Sequence, residues 1–232
     1  MKFLNYLKYF FFIAVNWNIK LAYFTIRNEI RGERKYGIKS TGTDQVKGIK
    51  VTEDILTHAE QYQGANYFLL EKMFEFLHQE SSAKKIIDFG CGKGRILAVA
   101  AFYGFNEIKG VEISDELATD AEQNINLIKP NYPLTKFEIV KQNAADYLID
   151  DTISVFFFFN PFDEVIMLQV VKNILSSLKK NDREIFIGYI NPVHKEIFQS
   201  AGFIEVFHLQ KYLYLECSIL LYTPWDEQSD DT

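Results

Sequence analysis

Residues 86–95, Ile-Ile-Asp-Phe-Gly-Cys-Gly-Lys-Gly-Arg, constrain the fold of this chain more than any other stretch. An apolar run ends in Asp88, and glycines follow at the alternating positions Gly90, Gly92 and Gly94. Residues 96–105 are almost wholly apolar and continue as a helix-like segment. This is the pattern of a buried parallel strand, a turn stripped of side chains, and a helix N-terminus, where backbone can approach a flat polar ligand. A second apolar run, 108–111, closes on another acid, Glu112, 18 residues past Gly94. Strand, glycine turn, helix, strand and acid make a nucleotide-binding half, in which the acid suits a ribose diol.

The glycine spacing narrows the ligand. A dinucleotide fingerprint, G-x-G-x-x-G, needs its third glycine at position 95, where this chain has Arg95. An acid directly before the turn also opposes a pyrophosphate, whereas a ligand with a cationic end tolerates it. Asp88-x-Gly90-x-Gly92-x-Gly94 with the downstream Glu112 resembles the class I S-adenosylmethionine (SAM)-dependent methyltransferases, over residues 84–222. NAD-type binding is the competing cofactor reading. The resemblance implies SAM as cofactor, with Asp88 near the amino group of its methionine part and Gly90, Cys91, Gly92 and Gly94 supplying the main chain beside it. It further implies that Glu112 accepts both ribose hydroxyls, and that Ala145 and Asp146, after the third strand, meet the adenine. For Asp146 an ordinary capping or loop acid is the plain alternative.

The expected fold is α/β: a doubly wound, mostly parallel seven-stranded sheet with helices on both faces, a closing antiparallel strand pair and an N-terminal helical extension. Residues 115–129 are helical with Ser114 as N-cap. Residues 137–141, 153–159 and 184–190 form strands, and 164–178 and 194–200 helices. Residues 203–209 and 212–222 form the closing pair. Residues 53–61, capped by Thr52, and 65–79 are expected as helices ahead of the first strand. At 232 residues and 48% hydrophobic, the chain can bury one large core, and two full domains would be crowded.

Charge divides the chain. Residues 1–50 hold 10 Lys and Arg against 3 Asp and Glu, although the whole chain carries a net charge of −6. The expected organisation is therefore a basic, aromatic-rich N-terminal helix and loop over 1–50, a SAM-binding domain over 51–224, and an acidic disordered tail over 225–232. Such an acidic domain is a poor nonspecific binder of nucleic acid, so no nucleic-acid partner is expected. On a helical wheel the first 21 residues set Leu4, Leu7, Phe10, Phe11, Ala14, Trp17 and Leu21 opposite Asn5, Lys8, Asn16 and Lys20. The apolar stretch 9–15 is too short to span a bilayer. Two readings stand: a helix packed on the domain or a second subunit, or an interfacial membrane helix over residues 1–26 with Arg27, Arg31, Arg34 and Lys35 facing anionic headgroups. Two cysteines, Cys91 and Cys217, without metal or disulfide spacing, fit a reducing cytoplasm, with the inner face of a membrane as a peripheral location.

The methyl acceptor is expected beyond the fourth strand, at Asn160-Pro161-Phe162. This resembles the (Asn/Asp)-Pro-Pro-(Tyr/Phe) motif of class I enzymes that methylate nitrogen, with one proline fewer. The resemblance makes the Asn160 side chain and the Pro161 carbonyl acceptors for the target N–H groups and Phe162 the ring packed on the target. The plain alternative is a strand-ending turn. An oxygen target needs a general base, for which His194 is the candidate, or else it is a surface residue. The expected function is methyl transfer from SAM to nitrogen, such as a protein lysine. The alternatives are O-methylation of a lipid, glycan or small molecule, or a SAM-binding module without catalysis. The acceptor, whether protein, lipid or small molecule, is not identified by sequence.

Overall fold

A computed structural model describes residues 2–41, 43–44, 62–159 and 162–224. The helix expected over 53–61, the acceptor residues Asn160 and Pro161, and the tail at 225–232 lie outside the described residues.

Seven strands form one sheet: β3 (Lys85–Phe89), β4 (Glu107–Glu112), β5 (Lys136–Lys141), β6 (Val155–Phe159), β7 (Ile185–Ile190), β8 (Ile204–Lys211) and β9 (Leu215–Tyr222). Their order across the sheet is β5-β4-β3-β6-β7-β9-β8, parallel except where β9 pairs antiparallel with β7 and β8. A two-stranded ribbon, β1 (Thr43–Asp44) and β2 (Tyr62–Gln63), stands apart. The helices are α1 (Lys2–Asn16), α2 (Ile19–Tyr36), α3 (Tyr67–Glu80), α4 (Arg95–Phe102), α5 (Asp115–Ile128), α6 (Glu164–Leu178) and α7 (Lys195–Ser200).

The unbroken apolar run of β6 follows from its central place, since both of its faces are buried. Val155 and Phe157 join Ile86 and Ile108 beneath α3, α4 and α5. Phe156 and Phe158 join Ile87 and Phe89 beneath α6 and α7. Phe157 stacks on Phe74 of α3 at 4.8 Å between ring centroids, and Phe158 on Phe89 at 5.5 Å. Side chains that alternate along the strands thus tie the two layers to one sheet. The sheet and helix layers are those expected from sequence.

Local chemistry sets the helix starts. Ser114 Oγ accepts the Leu117 N–H and Asp163 Oδ1 accepts the Ile166 N–H, capping α5 and α6. Asn66 does the same for α3, which therefore begins two residues later than the apolar pattern predicts.

The N-terminal region differs from the single amphipathic helix drawn on the wheel. Asn18 breaks it, and its Oδ1 accepts the Leu21 N–H at 2.8 Å to start α2. Trp17 and Leu21 consequently do not extend one stripe. Tyr9 and Ile13 of α1 are buried against Leu21 and Ala22 of α2 and against Leu215, while Leu4, Leu7, Phe11 and Val15 are exposed. Arg31 and Lys35, assigned to headgroups in the membrane reading, instead pair with Glu71 of α3, Lys35 at 2.9 Å. Tyr36 and Ile38 belong to the same core as β3 and α3. No described helix is long and apolar enough to cross a membrane.

The strand expected over 212–222 also starts late. Tyr212 and Leu213 have φ of 54° and 63° and form, with Tyr214, the connection between β8 and β9. Nothing in Tyr-Leu-Tyr signals a turn, because left-handed turn positions ordinarily carry Gly or Asn.

Candidate cofactor and acceptor site

The glycine loop joins the C-terminal end of β3 to α4, and all three glycines have positive φ: 76° at Gly90, 51° at Gly92 and 76° at Gly94. A side chain at any of them would be strained. The loop is also tightly seated. Gly90 and Cys91 both donate backbone N–H groups to the Val111 carbonyl, at 2.8 and 3.1 Å. A Cβ on Gly110 would lie 2.6 Å from Cys91 Sγ, so the absence of a side chain on β4 lets the loop lie down on it.

Two acids converge here. Glu112, at the end of β4, accepts N–H groups from Gly92 and from Ser114, each at 2.9 Å. It is buried, and burial raises its carboxyl above the ordinary range against the opposing pull of those N–H groups. Asp88 is 1% exposed, and its Oδ1 has no hydrogen-bond partner among the described residues. Burial, and then the charge of Glu112, push the Asp88 carboxyl well above its ordinary value. A buried carboxylate oxygen with no donor is costly unless a ligand supplies one. A ligand with an ammonium group at Asp88 and a diol at Glu112 meets both needs. Burial also pushes the Cys91 thiol well up, which disfavours its thiolate form.

Asp146 lies in the turn after β5 and is exposed; the cap of that turn is Asn143, whose Oδ1 accepts the Ala145 N–H at 3.0 Å. The turn sits beside Glu112, because Gln142 donates its N–H to the Glu112 carbonyl at 3.1 Å. Ala145 and Asp146 are therefore at the same end of the sheet as the glycine loop. Phe162 is half-buried, with its ring edge-on to Phe158 at 6.5 Å in the layer beneath α6. His194 occupies the position before α7 and makes no capping bond. Among the described residues no cluster of three His, Cys, Asp or Glu side chains could hold a metal ion.

The residue that rules out the dinucleotide spacing has a structural task that sequence did not reveal. Arg95, 3% exposed, is gripped from the N-terminal region: Nε donates to Ser40 Oγ at 2.9 Å, and Nη1 and Nη2 donate to Glu29 Oε1 and Oε2 at 2.8 and 2.7 Å. Nη1 also reaches the Ala65 carbonyl, and the guanidinium lies 4.3 Å from the centroid of the Tyr67 ring. Asn124 of α5 adds a second tie, donating to the carbonyls of Lys39 and Lys93 and accepting the Lys39 N–H. Residues 38–41 are thus tied to the glycine loop and the start of α4 through Arg95 and Asn124. Those partners are 55 and 66 residues from Arg95, too far along the chain for any local pattern to show.

Strand order, glycine loop and paired acids together define a class I, Rossmann-like methyltransferase fold. Comparison with known proteins agrees. A ribosomal protein L11 methyltransferase of Prochlorococcus marinus is 30% identical over 142 residues, covering 58% of this chain and 43% of that one. Its counterpart in Fusobacterium nucleatum is 27% identical over 133 residues, covering 57% and 41%. This chain therefore spans less than half the length of the curated relatives it matches. No family model matches. Among solved structures, a candidate RNA methyltransferase of Pyrococcus horikoshii superposes with a TM-score of 0.54 at 14% identity, covering 87% of this chain and 98% of that one, a likeness of fold alone. The comparisons lend no support to the charge-based exclusion of nucleic acid as an acceptor.

Proposed function

We propose that this protein is a SAM-dependent methyltransferase acting on nitrogen, with the acceptor approaching from the C-terminal ends of β6 and β7. The observation that carries the reading is the buried, donor-less oxygen of Asp88 beside Glu112 and a loop of three left-handed glycines. That pocket suits a ligand that is cationic at one end and carries a diol at the other, and a pyrophosphate there would face two acids.

Bound SAM supplies an activated sulfonium methyl group, so the protein has mainly to align and desolvate the acceptor. Alignment of this kind contributes up to about 7–11 kcal/mol. Asp88 holds the ammonium end, the glycine backbone fits beside the methionine part, and Glu112 accepts the diol. Asn160 and the Pro161 carbonyl are proposed to orient the target nitrogen. A lysine target, with its ordinary pKa of about 10.4, must lose a proton first, at a cost of about 4–5 kcal/mol at pH 7. Carbonyl acceptors and exclusion of water favour the neutral amine.

The test has two parts. Calorimetry should show heat with SAM and none with NAD; the reverse result rejects the reading. Incubation of tritiated SAM with cell fractions then identifies the acceptor, and Asn160→Ala should abolish transfer while SAM affinity stays unchanged. Retained transfer removes Asn160 from the site. Loss of both properties places Asn160 in cofactor binding rather than in orienting the acceptor.

Peripheral membrane contact through residues 1–26 is supported by the exposed apolar face Leu4, Leu7, Phe11 and Val15. Co-sedimentation of the full chain with anionic vesicles, lost in Phe11→Asp, is the expected outcome. No sedimentation rejects it.

A further inference from the structure

Beyond the ends of β6 and β7, at Phe159 and Ile190, lies a cavity of about 330 Å³. It opens between the α1–α2 hairpin, the start of α3 and the β8–β9 connection. Its size is at the lower end of the range for small-molecule sites. Most of the described residues that line it are apolar or aromatic, and Glu216 is the single charged one among them. None of the described lining residues thus offers phosphate groups the cation that a nucleic-acid acceptor requires.

One polar group in this wall is unsatisfied. Asn66 is 6% exposed, and its Oδ1 accepts the Phe68 N–H at 3.0 Å, which identifies the other end of the amide as the donor. That Nδ2 has no hydrogen-bond partner among the described residues. Buried donors are nearly always paired, so an unpaired amide on a residue of the cavity wall suits an oxygen from a ligand.

The mouth is apolar as well. Leu213 and Tyr214 line the cavity and are nevertheless 80% and 51% exposed. Leu213 is held there in the left-handed region, where a bulky residue is strained and where sequence usually places glycine or asparagine. A strained turn that keeps a leucine at a cavity mouth fits recognition of an apolar body.

We propose that this cavity binds the methyl acceptor, and that the acceptor is a small molecule with an apolar, ring-containing body, the nitrogen to be methylated, and one carbonyl or hydroxyl oxygen that takes the Asn66 Nδ2 hydrogen bond. The proposal rests on the methyl-transfer reading for its word acceptor, but the binding it asserts is measurable without any turnover. The α1–α2 hairpin is then a wall of the substrate site, and Asn66 a specificity residue.

The test uses the full chain and two probes of similar shape. Naphthalene-2-carboxamide carries the oxygen, and 2-ethylnaphthalene does not. Equilibrium dialysis should show the carboxamide binding about tenfold more tightly, the effect of one buried hydrogen bond. Asn66→Asp keeps the cap to Phe68 and replaces the donor with an acceptor, and should erase that preference. Ile13→Trp fills the cavity and should abolish binding of both probes, with circular dichroism reporting that the fold is kept. Equal binding of the two probes, no binding of either, or a preference that survives Asn66→Asp overturns the proposal. SAM calorimetry on the same samples separates the outcomes: lost SAM binding strikes the methyl-transfer reading, and lost probe discrimination strikes the cavity.

Discussion

Arg95 and Glu29 form a buried, two-pronged ion pair, with N–O distances of 2.8 and 2.7 Å, that joins the first residue of α4 to the middle of α2. Arg95 is 3% exposed and Glu29 1%, so neither charge is shared with solvent. Through this pair the N-terminal helices are held to the loop that faces the candidate cofactor site, and Ser40 and the Ala65 carbonyl accept two further hydrogen bonds from the guanidinium.

A buried pair of this kind is destabilising when broken on one side, because the remaining charge has no partner. Glu29→Ala is expected to lower the unfolding free energy by about 3–5 kcal/mol in urea titrations. The double variant Glu29→Leu, Arg95→Met should recover most of that loss, since well-packed apolar replacements are often neutral or better. A double variant no more stable than the single one would show that the pair contributes more than mutual neutralisation.

Glu112→Gln keeps the size of the side chain and one oxygen acceptor while removing the charge. Hydrogen bonds to a charged group are worth about 1.5–3 kcal/mol each, so SAM affinity should fall by about 10–100-fold. Calorimetry measures this, and an unchanged affinity would remove Glu112 from the ribose role.

The Asp88 carboxyl is raised by burial first and by Glu112 second. The folded state then holds a proton that the unfolded chain has lost, so this contribution to stability is present below the ordinary carboxylate value of 3.8 and is lost as pH climbs through the raised one. Without ligand, Asp88→Asn should flatten that decline in Tm with pH. SAM, by bringing a cation to the ionised form, should release up to about one proton on binding. Calorimetry in buffers of differing ionisation enthalpy reports the release, which Asp88→Asn should remove.

Gly110→Ala tests how closely the glycine loop lies on β4. The added methyl would stand 2.6 Å from Cys91 Sγ and 2.9 Å from Leu97 Cδ1. Overpacking of this kind costs about 1–3 kcal/mol, and the displaced loop should also weaken SAM binding. Normal stability together with normal affinity would mean that loop and strand have room to move apart.

The glycine loop and the paired acids of the candidate cofactor site were legible in the sequence because their signals are local. Three glycines, a strand-ending acid and a second acid one helix later lie within 25 residues, and each is tied to a backbone conformation or charge that few other residue types supply. The sheet was legible for the same reason, through apolar runs alternating with capped helices. Asn18 is a residue type that caps helices, yet the apolar periodicity of residues 1–21 runs through it without a break. Tyr212 and Leu213 carry no turn signal at all, and only pairing of β8 with β9 forces them into the left-handed region.

By itself, the sequence determined a parallel sheet with a bare loop and two acids at the C-terminal ends of neighbouring strands, since strand burial, left-handed glycines and end-of-strand carboxylates are properties of short segments. Tertiary structure alone decided that Arg95 reaches back to Glu29 and Ser40, that the basic residues Arg31 and Lys35 answer Glu71, and that Asn66 opens onto a cavity walled by α1. Each of those relationships joins segments dozens of residues apart, and side-chain chemistry becomes specific across such separations only when packing has brought the partners within bonding distance.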